Sequence, residues 1–403
     1  MNYSYRYRLN PSTELEERLA WTVDICRQVY NHFHHRLNHN DGTSAYSEMG
    51  RLPELKQWWS DLKQVHSQVL QKVVQRLYNN LTTLRAQKER GCRVGRLKWK
   101  APREYRSFTY SQNGFKLKNT SGQARLCLSK IGDIPITFHR ELPDDAVIKT
   151  VTVKQEPTGK WYAILALELP DDLPEKPAHP DRCVGIDLGI TKFAHDTDGI
   201  AVEPLDLTTE RERLDRSRHH LDRKQHGSLN WERQLRLVAE RHAELARKRR
   251  DFLHKLSNYY ASEYDLVAVE DLDVEALIEL PGNSRNRAGA GWGAFLRMLE
   301  YKCEHEGTHF VRVNPRGTSK GCASCGCSTA KPLWVREHSC PSCGFEADRD
   351  ANAAWNILDR GLEKYIGAGR SESTPVETAL PVDTVVSAKR VIETGSPIPE
   401  REP

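Results

Sequence analysis

Three acidic residues, Asp187, Glu270 and Asp350, sit in three different local contexts in the C-terminal half of this chain. Asp187 closes the strand-like run Cys183-Val184-Gly185-Ile186, and Glu270 closes Asp265-Leu266-Val267-Ala268-Val269. Asp350 opens the helix-like Ala351-Asn352-Ala353-Ala354-Trp355-Asn356-Ile357-Leu358. Carboxylates delivered by two strand ends and a helix start can converge on one point and hold two divalent cations for phosphodiester cleavage. Mg²⁺ suits such a site, because it prefers carboxylates and water. One ion helps activate the attacking water and the other stabilises the leaving oxygen, at a spacing of roughly 3.5–4 Å. Asp348 is the nearest decoy and reads as a helix-start residue or an outer partner. Asp271, beside Glu270, reads as a turn residue.

A second set of residues lies just before Asp350. Cys322-x-x-Cys325 and Cys340-x-x-Cys343 place four soft thiolates for one tetrahedral Zn²⁺. Gly326 and Gly344 follow the second cysteine of each pair, where tight knuckle turns tolerate glycine well. A closed four-cysteine site is structural, so this zinc should not itself cut anything. Cys327 and His338 are spare candidates, read as non-ligands.

The elements that must position these groups can be followed along the chain. Strand and turn after Asp187, a second strand over Phe193 to Asp196, and Glu270 at a later strand end come first. Asp350 on a helix completes the order of an RNase H-like fold. A helix from about Ala288 to Glu306 and a strand from His309 to Val313 fill the interval. Residues 209 to 262 read as one or two long helices, broken near Gly227-Ser228. Acidic residues such as Glu212 and Glu232 offer i,i+4 partners, so part of this is solvated helix surface, and the block Arg247, Lys248, Arg249 and Arg250 is read as uncompensated and binding nucleic acid.

In the N-terminal half, Tyr3, Tyr5, Tyr7 and Leu9 alternate with Ser4, Arg6 and Arg8, as in a strand with one basic face. Thr13 and Glu16 suggest a capping box for a helix with Leu15, Leu19, Val23, Val29 and Phe33 inward. A second helical stretch follows Pro53, with Val65, Val69, Val73, Leu77 and Leu81 at helical spacing. From about residue 94, Arg96, Lys98 and Lys100 interleave with Leu97 and Trp99, which suits a phosphate backbone and stacking on exposed bases. Short strands follow over Arg125 to Leu128, Ile134 to Phe138, Ile148 to Lys154 and Trp161 to Leu169, so a small β-barrel is expected.

Composition narrows the class. A chain of 403 residues is long enough for more than one domain. Its 60 basic and 55 acidic residues leave a net charge of +5, so local clustering rather than global charge must carry any nucleic-acid contact. No apolar run has transmembrane length and the N-terminus has no signal-peptide core, so no membrane partner is expected. Five of the ten cysteines fall within residues 322–343, which is zinc-site usage in a reducing compartment, and a cytoplasmic location is expected.

Taken together, these residues resemble the TnpB (OrfB) proteins of insertion sequences, which are RNA-guided nucleases related to type V CRISPR effectors. The resemblance is carried by Gly185-Ile186-Asp187-Leu188-Gly189, Val269-Glu270-Asp271-Leu272, Trp292-Gly293 with Tyr301-Lys302, Thr318-Ser319-Lys320, both Cys-x-x-Cys-Gly knuckles, and Asp348-Arg349-Asp350-Ala351-Asn352-Ala353-Ala354. Leu52-Pro53-Glu54-Leu55-Lys56, Ser107-Phe108 and Gly159-Lys160-Trp161-Tyr162 extend it more loosely into the N-terminal half. It implies an α/β plus α+β multidomain chain: an RNase H-like (RuvC) nuclease domain with a helical insertion and a zinc ribbon, preceded by a β-barrel and helical lobe. It implies Asp187, Glu270 and Asp350 as the Mg²⁺-binding triad and Cys322, Cys325, Cys340 and Cys343 as the zinc ligands. The partners implied are a guide RNA encoded at the element's end and double-stranded target DNA. The corresponding boundaries are 1–169 for the barrel (strands near 1–10 and 94–169) with helices inserted over 12–92, and 170–181 for a linker. The nuclease domain covers 182–314 and 345–366, the ribbon 315–344 and a disordered tail 367–403. Lys320, where many relatives have Gln, and the extra thiol Cys327 depart from the pattern without touching the triad. A non-cutting regulator on the same scaffold and a strand-joining transposase stay open as alternatives.

Overall fold

The computed structural model describes residues 2–39, 43–111, 113–120, 123–169, 173–177, 179–273, 291–332, 334–366 and 384–398. The chain divides into two compact units, residues 1–171 with 226–240, and residues 172–225 with 241–403. Among the described residues, no helix is long and apolar enough to cross a membrane.

The first unit begins with β1 (Asn2–Leu9). The alternation seen in its sequence is realised, with Tyr7 and Leu9 fully buried. On the other face the Arg6 and Arg8 guanidiniums lie 3.9 and 5.3 Å from the Tyr162 ring centroid. Helices α1 (Thr13–His39), α2 (Ala45–Gly50), α3 (Leu52–Trp58) and α4 (Ser67–Glu89) follow, with a 3-10 turn over Ser60–Gln64. The single stretch expected after Pro53 is thus broken before Ser67. The cap of α1 is Ser12 rather than Thr13: its carbonyl accepts from Glu16 N at 2.8 Å and its Oγ from Leu15 N at 3.4 Å. Glu16 instead accepts the buried Trp161 indole N–H at 3.2 Å, tying the helix to the sheet.

That sheet adds β2 (Ser107–Ser111), β3 (Phe115–Thr120), β4 (Gln123–Leu128), β5 (Gly132–Thr137), β6 (Val147–Gln155) and β7 (Trp161–Glu168). Its order is β2-β6-β7-β1-β5-β4-β3, antiparallel throughout. The two edge strands are consecutive in sequence, and Tyr110 of β2 donates to the Ser129 carbonyl beyond β4 at 2.7 Å, so the sheet nearly closes into a barrel. Strand structure begins at Ser107, not near 94. The segment before it is bound along α1, where Asn31 exchanges two hydrogen bonds with the Lys100 backbone, of 2.8 and 2.9 Å. An extended segment whose backbone is satisfied by a helix side chain carries the alternation of a strand without needing a neighbour strand.

The second unit holds β8 (Cys183–Leu188), β9 (Ala194–Asp196), β10 (Ile200–Val202), α5 (Thr208–Asp222), α6 (Leu229–Glu263) from Arg241 on, and β11 (Leu266–Glu270). It continues with α7 (Trp292–Glu306), β12 (His309–Val313), β13 (Glu337–Ser339), β14 (Glu346–Asp348), α8 (Arg349–Ile366), β15 (Thr384–Val386) and α9 (Ala388–Thr394). The α5–α6 break falls at the expected Gly227, whose φ is +81°. Residues 226–240 group with the first unit, which cuts across the expected 182–314 block. Residues 288–290, where α7 was expected to begin, lie outside the described residues.

The six-stranded sheet runs β12-β11-β8-β9-β10-β15, with β12, β11 and β8 parallel and β9 antiparallel between β8 and β10. The tail read as disordered from 367 is corrected here. Thr384–Val386 pairs in parallel with β10, Val386 and Val391 are buried, and Lys255 Nζ donates to the Ile392 carbonyl. A three-residue strand inside a Pro- and Ser-rich segment is too short to show periodicity. Residues 367–383 and 399–403 lie outside the described residues.

Small residues let α8 lie directly on this sheet. Gly185 of β8 pairs in register with Ala268 of β11. A Cβ on Gly185 would stand 2.2 Å from the Ala354 carbonyl oxygen and 2.7 Å from Leu358 N, and one on Gly361 would stand 2.6 Å from Ala268 Cβ. Gly185→Ala should therefore destabilise the protein by about 1–3 kcal/mol or more, because the obstacle is backbone. Gly50→Ala, with nothing within 4 Å, should change stability by no more than about 0.5 kcal/mol. Urea unfolding of both variants checks this, and a Gly185→Ala protein as stable as the parent would contradict the seam.

Candidate active site and metal centre

The neighbouring parallel strands β8 and β11 end side by side, since Ile186 and Val269 are register partners. Asp187 and Glu270 are the next residues, and α8 crossing above brings its first turn, with Asp350, to the same edge. All three line one cavity of about 410 Å³, together with Trp292, Thr318, Arg336 and Arg349. The structure thus brings together the three carboxylates singled out in the sequence.

Their electrostatics are those of a crowded acidic site. Burial, then the charges of Glu270 and Asp350, push the Asp187 carboxyl well above the usual carboxylate range, against the pull of Arg349 and Arg336. Burial also raises Glu270, opposed by a hydrogen bond from Thr318 and by the Arg360 charge. That bond, from Thr318 Oγ1 to Glu270 Oε1, is 2.5 Å long, and Arg336 contacts Asp350 Oδ2 at 2.5 Å. The decoys have other work. Asp348 caps α8, accepting from Asp350 N at 2.8 Å, and pairs with Lys192 at 3.4 Å. Asp271 pairs with Arg312 at 3.6 Å.

The four cysteines gather as expected. Their sulfurs all lie within 4.8 Å of one another, the one such group of three or more metal-binding side chains among the described residues. Cys322 and Cys343 are 3.7 Å apart and Cys325 and Cys340 3.5 Å. Disulfide sulfurs would be about 2.05 Å apart, whereas thiolates about 2.3 Å from a tetrahedral ion stand about 3.8 Å apart. The donor set fits one soft ion. Gly326 N and Gly344 N donate back to the Cys322 and Cys340 carbonyls at 2.8 and 3.0 Å, closing each knuckle with φ near +74° and +73°. Cys327 stays outside the cluster and accepts from Ser342 at 3.0 Å, and His338 is buried beside Lys331.

Chain similarity bears on the same residues. Residues 151–280 match the OrfB family of IS605, described as a probable transposase, and residues 292–357 match the Cas12f1-like TNB domain. Residues 1–40 match the OrfB helix-turn-helix domain. A Streptomyces pristinaespiralis protein named as a candidate RNA-guided DNA endonuclease is 32% identical over 375 residues, 89% of each chain. InsQ of Escherichia coli K12, named likewise, is 30% identical over 387 residues, 89% of this chain and 92% of its own. The chain belongs to the TnpB (OrfB) family. Its fold is also that of a Cas12f1 solved with single guide RNA and target DNA, at a TM-score of 0.52 and 13% identity over 89% of this chain and 98% of that one.

Sequence reasoning missed two roles in this TnpB-family site. Thr318 appeared only as part of a motif, with no hint that its hydroxyl holds Glu270. Arg336 carried no signal at all, because it reaches Asp350 only through the folding of the cysteine-rich segment. The candidate nucleic-acid residues divide. Trp99 is exposed, while the Lys100 backbone is held by α1. Lys248 of the block read as uncompensated pairs with Glu210 on another helix, while Glu244, four residues before it, pairs with Arg241.

The raised Asp187 and Glu270 carboxyls make a prediction for metal-free protein. A folded-state pKa above the unfolded value gives stability that is fully present below about pH 4 and is lost as pH rises through the folded pKa. The melting temperature of metal-free protein should fall from pH 5 to pH 8, and Asp187→Asn should flatten that slope and melt higher at pH 8. Equal slopes for parent and variant in a thermal-shift series would contradict the crowding.

Proposed function

We propose that this chain is an RNA-guided DNA endonuclease whose RuvC-like, RNase H-like nuclease domain cuts by Mg²⁺-dependent phosphodiester hydrolysis. The observation that carries the reading is the meeting of Asp187, Glu270 and Asp350 in one cavity, at two adjacent strand ends and a helix start. The order of three parallel strands, an antiparallel pair and a covering helix supports the RNase H-like assignment. The relatives' names support the guide RNA and DNA partners.

Three carboxylates that repel one another across a cavity suit hard cations. A pair of ions roughly 3.5–4 Å apart would be shared among the three. Two Mg²⁺ ions, when bound, would supply an activated water and charge stabilisation at the leaving oxygen. The protein's own groups do the positioning. Asp187 and Glu270 come from strand ends that cannot move independently of the sheet. Thr318 fixes Glu270 through one oxygen, and Arg336 bears on Asp350. Zn²⁺ on Cys322, Cys325, Cys340 and Cys343 would be structural. The domain boundaries proposed are those of the sequence reading, except that residues 226–240 group with the first unit and the tail's last strand joins the nuclease sheet, and the thiol usage favours the cytoplasm.

Two measurements test this. Protein co-expressed with the RNA from the 3′ end of its gene should cut matched double-stranded DNA in Mg²⁺. Asp187→Ala, Glu270→Ala and Asp350→Ala should each slow cutting by at least roughly 10³-fold. Tight binding of RNA and target without cutting by the parent would favour the non-cutting regulator instead. Separately, atomic absorption should find one zinc per chain. Cys343→Ser should lose that zinc and Cys327→Ser should keep it, so retention by Cys343→Ser would remove the ribbon assignment.

A further inference from the structure

A second cavity, of about 460 Å³, shares the Gly189-Ile190-Thr191 segment with the carboxylate cavity. Its floor includes the buried rings of Phe193 and Phe252, and two guanidiniums enter it. Arg211 comes from the first turn of α5 and Arg249 from α6. The Arg249 Nε is buried with no hydrogen-bond partner. Among the described residues, no carboxylate lies within ion-pair distance of either guanidinium; Glu203 and Asp206 also line the cavity, and the Arg211 charge adds to the Thr208 hydrogen bonds that hold the Asp206 carboxyl below its usual range. Asp206 is engaged by Thr208, through N at 2.9 Å and Oγ1 at 2.6 Å. Nearby cations are matched: Lys248 pairs with Glu210 and Arg241 with Glu244 at 3.1 Å.

Two guanidiniums in one cavity repel each other, and a buried N–H without an acceptor is costly. Burial, then the charge of Arg211, already lowers the pKa of Arg249. An anion with several oxygen acceptors relieves both, and the planar forks of arginine match a phosphate bidentately. The cavity is also large enough for a phosphate together with its sugar.

We propose that Arg211 and Arg249 form a phosphodiester subsite that grips the DNA strand beside the linkage cut at Asp187, Glu270 and Asp350. The assignment to the cut strand rests on the nuclease reading, because the shared 189–191 segment puts the two cavities on one path. Arg211 and Arg249 are then positioning residues: they hold the strand in register with the carboxylates and touch no reacting atom.

Two arms test the subsite. In the first, metal-free protein carrying its RNA binds a fluorescein-labelled single-stranded oligodeoxynucleotide, followed by anisotropy across a salt series. Arg211→Gln and Arg249→Gln should each weaken binding roughly 10-fold and lower the slope of log K against log salt by about 1. Lys389→Gln, which changes an exposed cation of α9 away from both cavities, should leave the slope unchanged. In the second arm, target DNA carries single neutral methylphosphonate linkages, and single-turnover cleavage is timed. One linkage next to the cut should slow the parent, and the same change should add nothing in Arg249→Gln. Unaltered salt slopes, or the absence of any such non-additive linkage, would overturn the subsite. An effect from methylphosphonates in the guide RNA instead would overturn the assignment to DNA. If the parent cuts nothing, the guided-nuclease reading fails and the anisotropy arm still judges the anion site. Arg211→Gln serves as the independent readout should Arg249→Gln lower the melting temperature.

Discussion

The close approach of α8 to the sheet is the constraint on which the rest of the second unit depends. An α-helix ordinarily packs with side chains between it and its neighbour, at about 8–10 Å between axes. Here the Ala354 carbonyl stands where a Gly185 Cβ would be, and Gly361 stands against Ala268. The paired residues Gly185 and Ala268 make a floor of two small residues on adjacent strands, and Ala354 and Gly361 face it. With that seam closed, the first turn of α8 has nowhere to go but the edge at which β8 and β11 finish. Asp350 is aimed by packing well away from Asp350.

What the seam brings together, electrostatics would push apart. Three carboxylates converge while burial raises two of them, so the metal-free site favours protons that a catalyst must give up. Packing supplies the restoring force, and specific bonds distribute the strain. Thr318 stabilises the ionised form of Glu270, and Arg336 and Arg349 lend positive charge to Asp187. Asp348, two residues from Asp350, is spent on the helix N-terminus and held ionised there. Burial works against that, and the Asp350 N–H and Lys192 outweigh it.

How legible this was in the sequence follows from the range of each interaction. The carboxylates at strand ends, the cysteine knuckles and the break at Gly227 are local signals, and each was readable because the neighbouring residues set it. The small-residue seam was visible as Ala353-Ala354 and Gly185 but had no meaning until the two ends were brought together. Ser12 rather than Thr13 as the α1 cap is a one-residue ambiguity that the Ser12 hydrogen bonds resolve, and Glu16 is taken up by Trp161, a partner far away in sequence. Arg336 at Asp350 and Lys248 at Glu210 are long-range pairs, and nothing local distinguishes these residues from any exposed cation. The strand alternation near Trp99 misled because a backbone satisfied by Asn31 has the same period as one satisfied by a sheet.

The cysteine cluster is therefore more than a bystander to the carboxylates. Its two knuckles lead into β13 and β14, which pair as a hairpin directly before α8. Arg349 N donates to the Arg336 carbonyl at 2.7 Å, so the hairpin fixes both the start of α8 and the arginine that bears on Asp350. From the other side, Asn352 of α8 holds Ala323 N and the Gly321 carbonyl at 2.9 and 2.8 Å, and Asn356 bonds the Thr318 and Gly321 carbonyls, both at 2.8 Å. The segment that presents the first knuckle is thus the one that carries Thr318 to Glu270. A metal ion closing the four sulfurs would hold both supports of the acidic cavity at once, which gives a structural centre a direct mechanical bearing on the site without its touching the substrate.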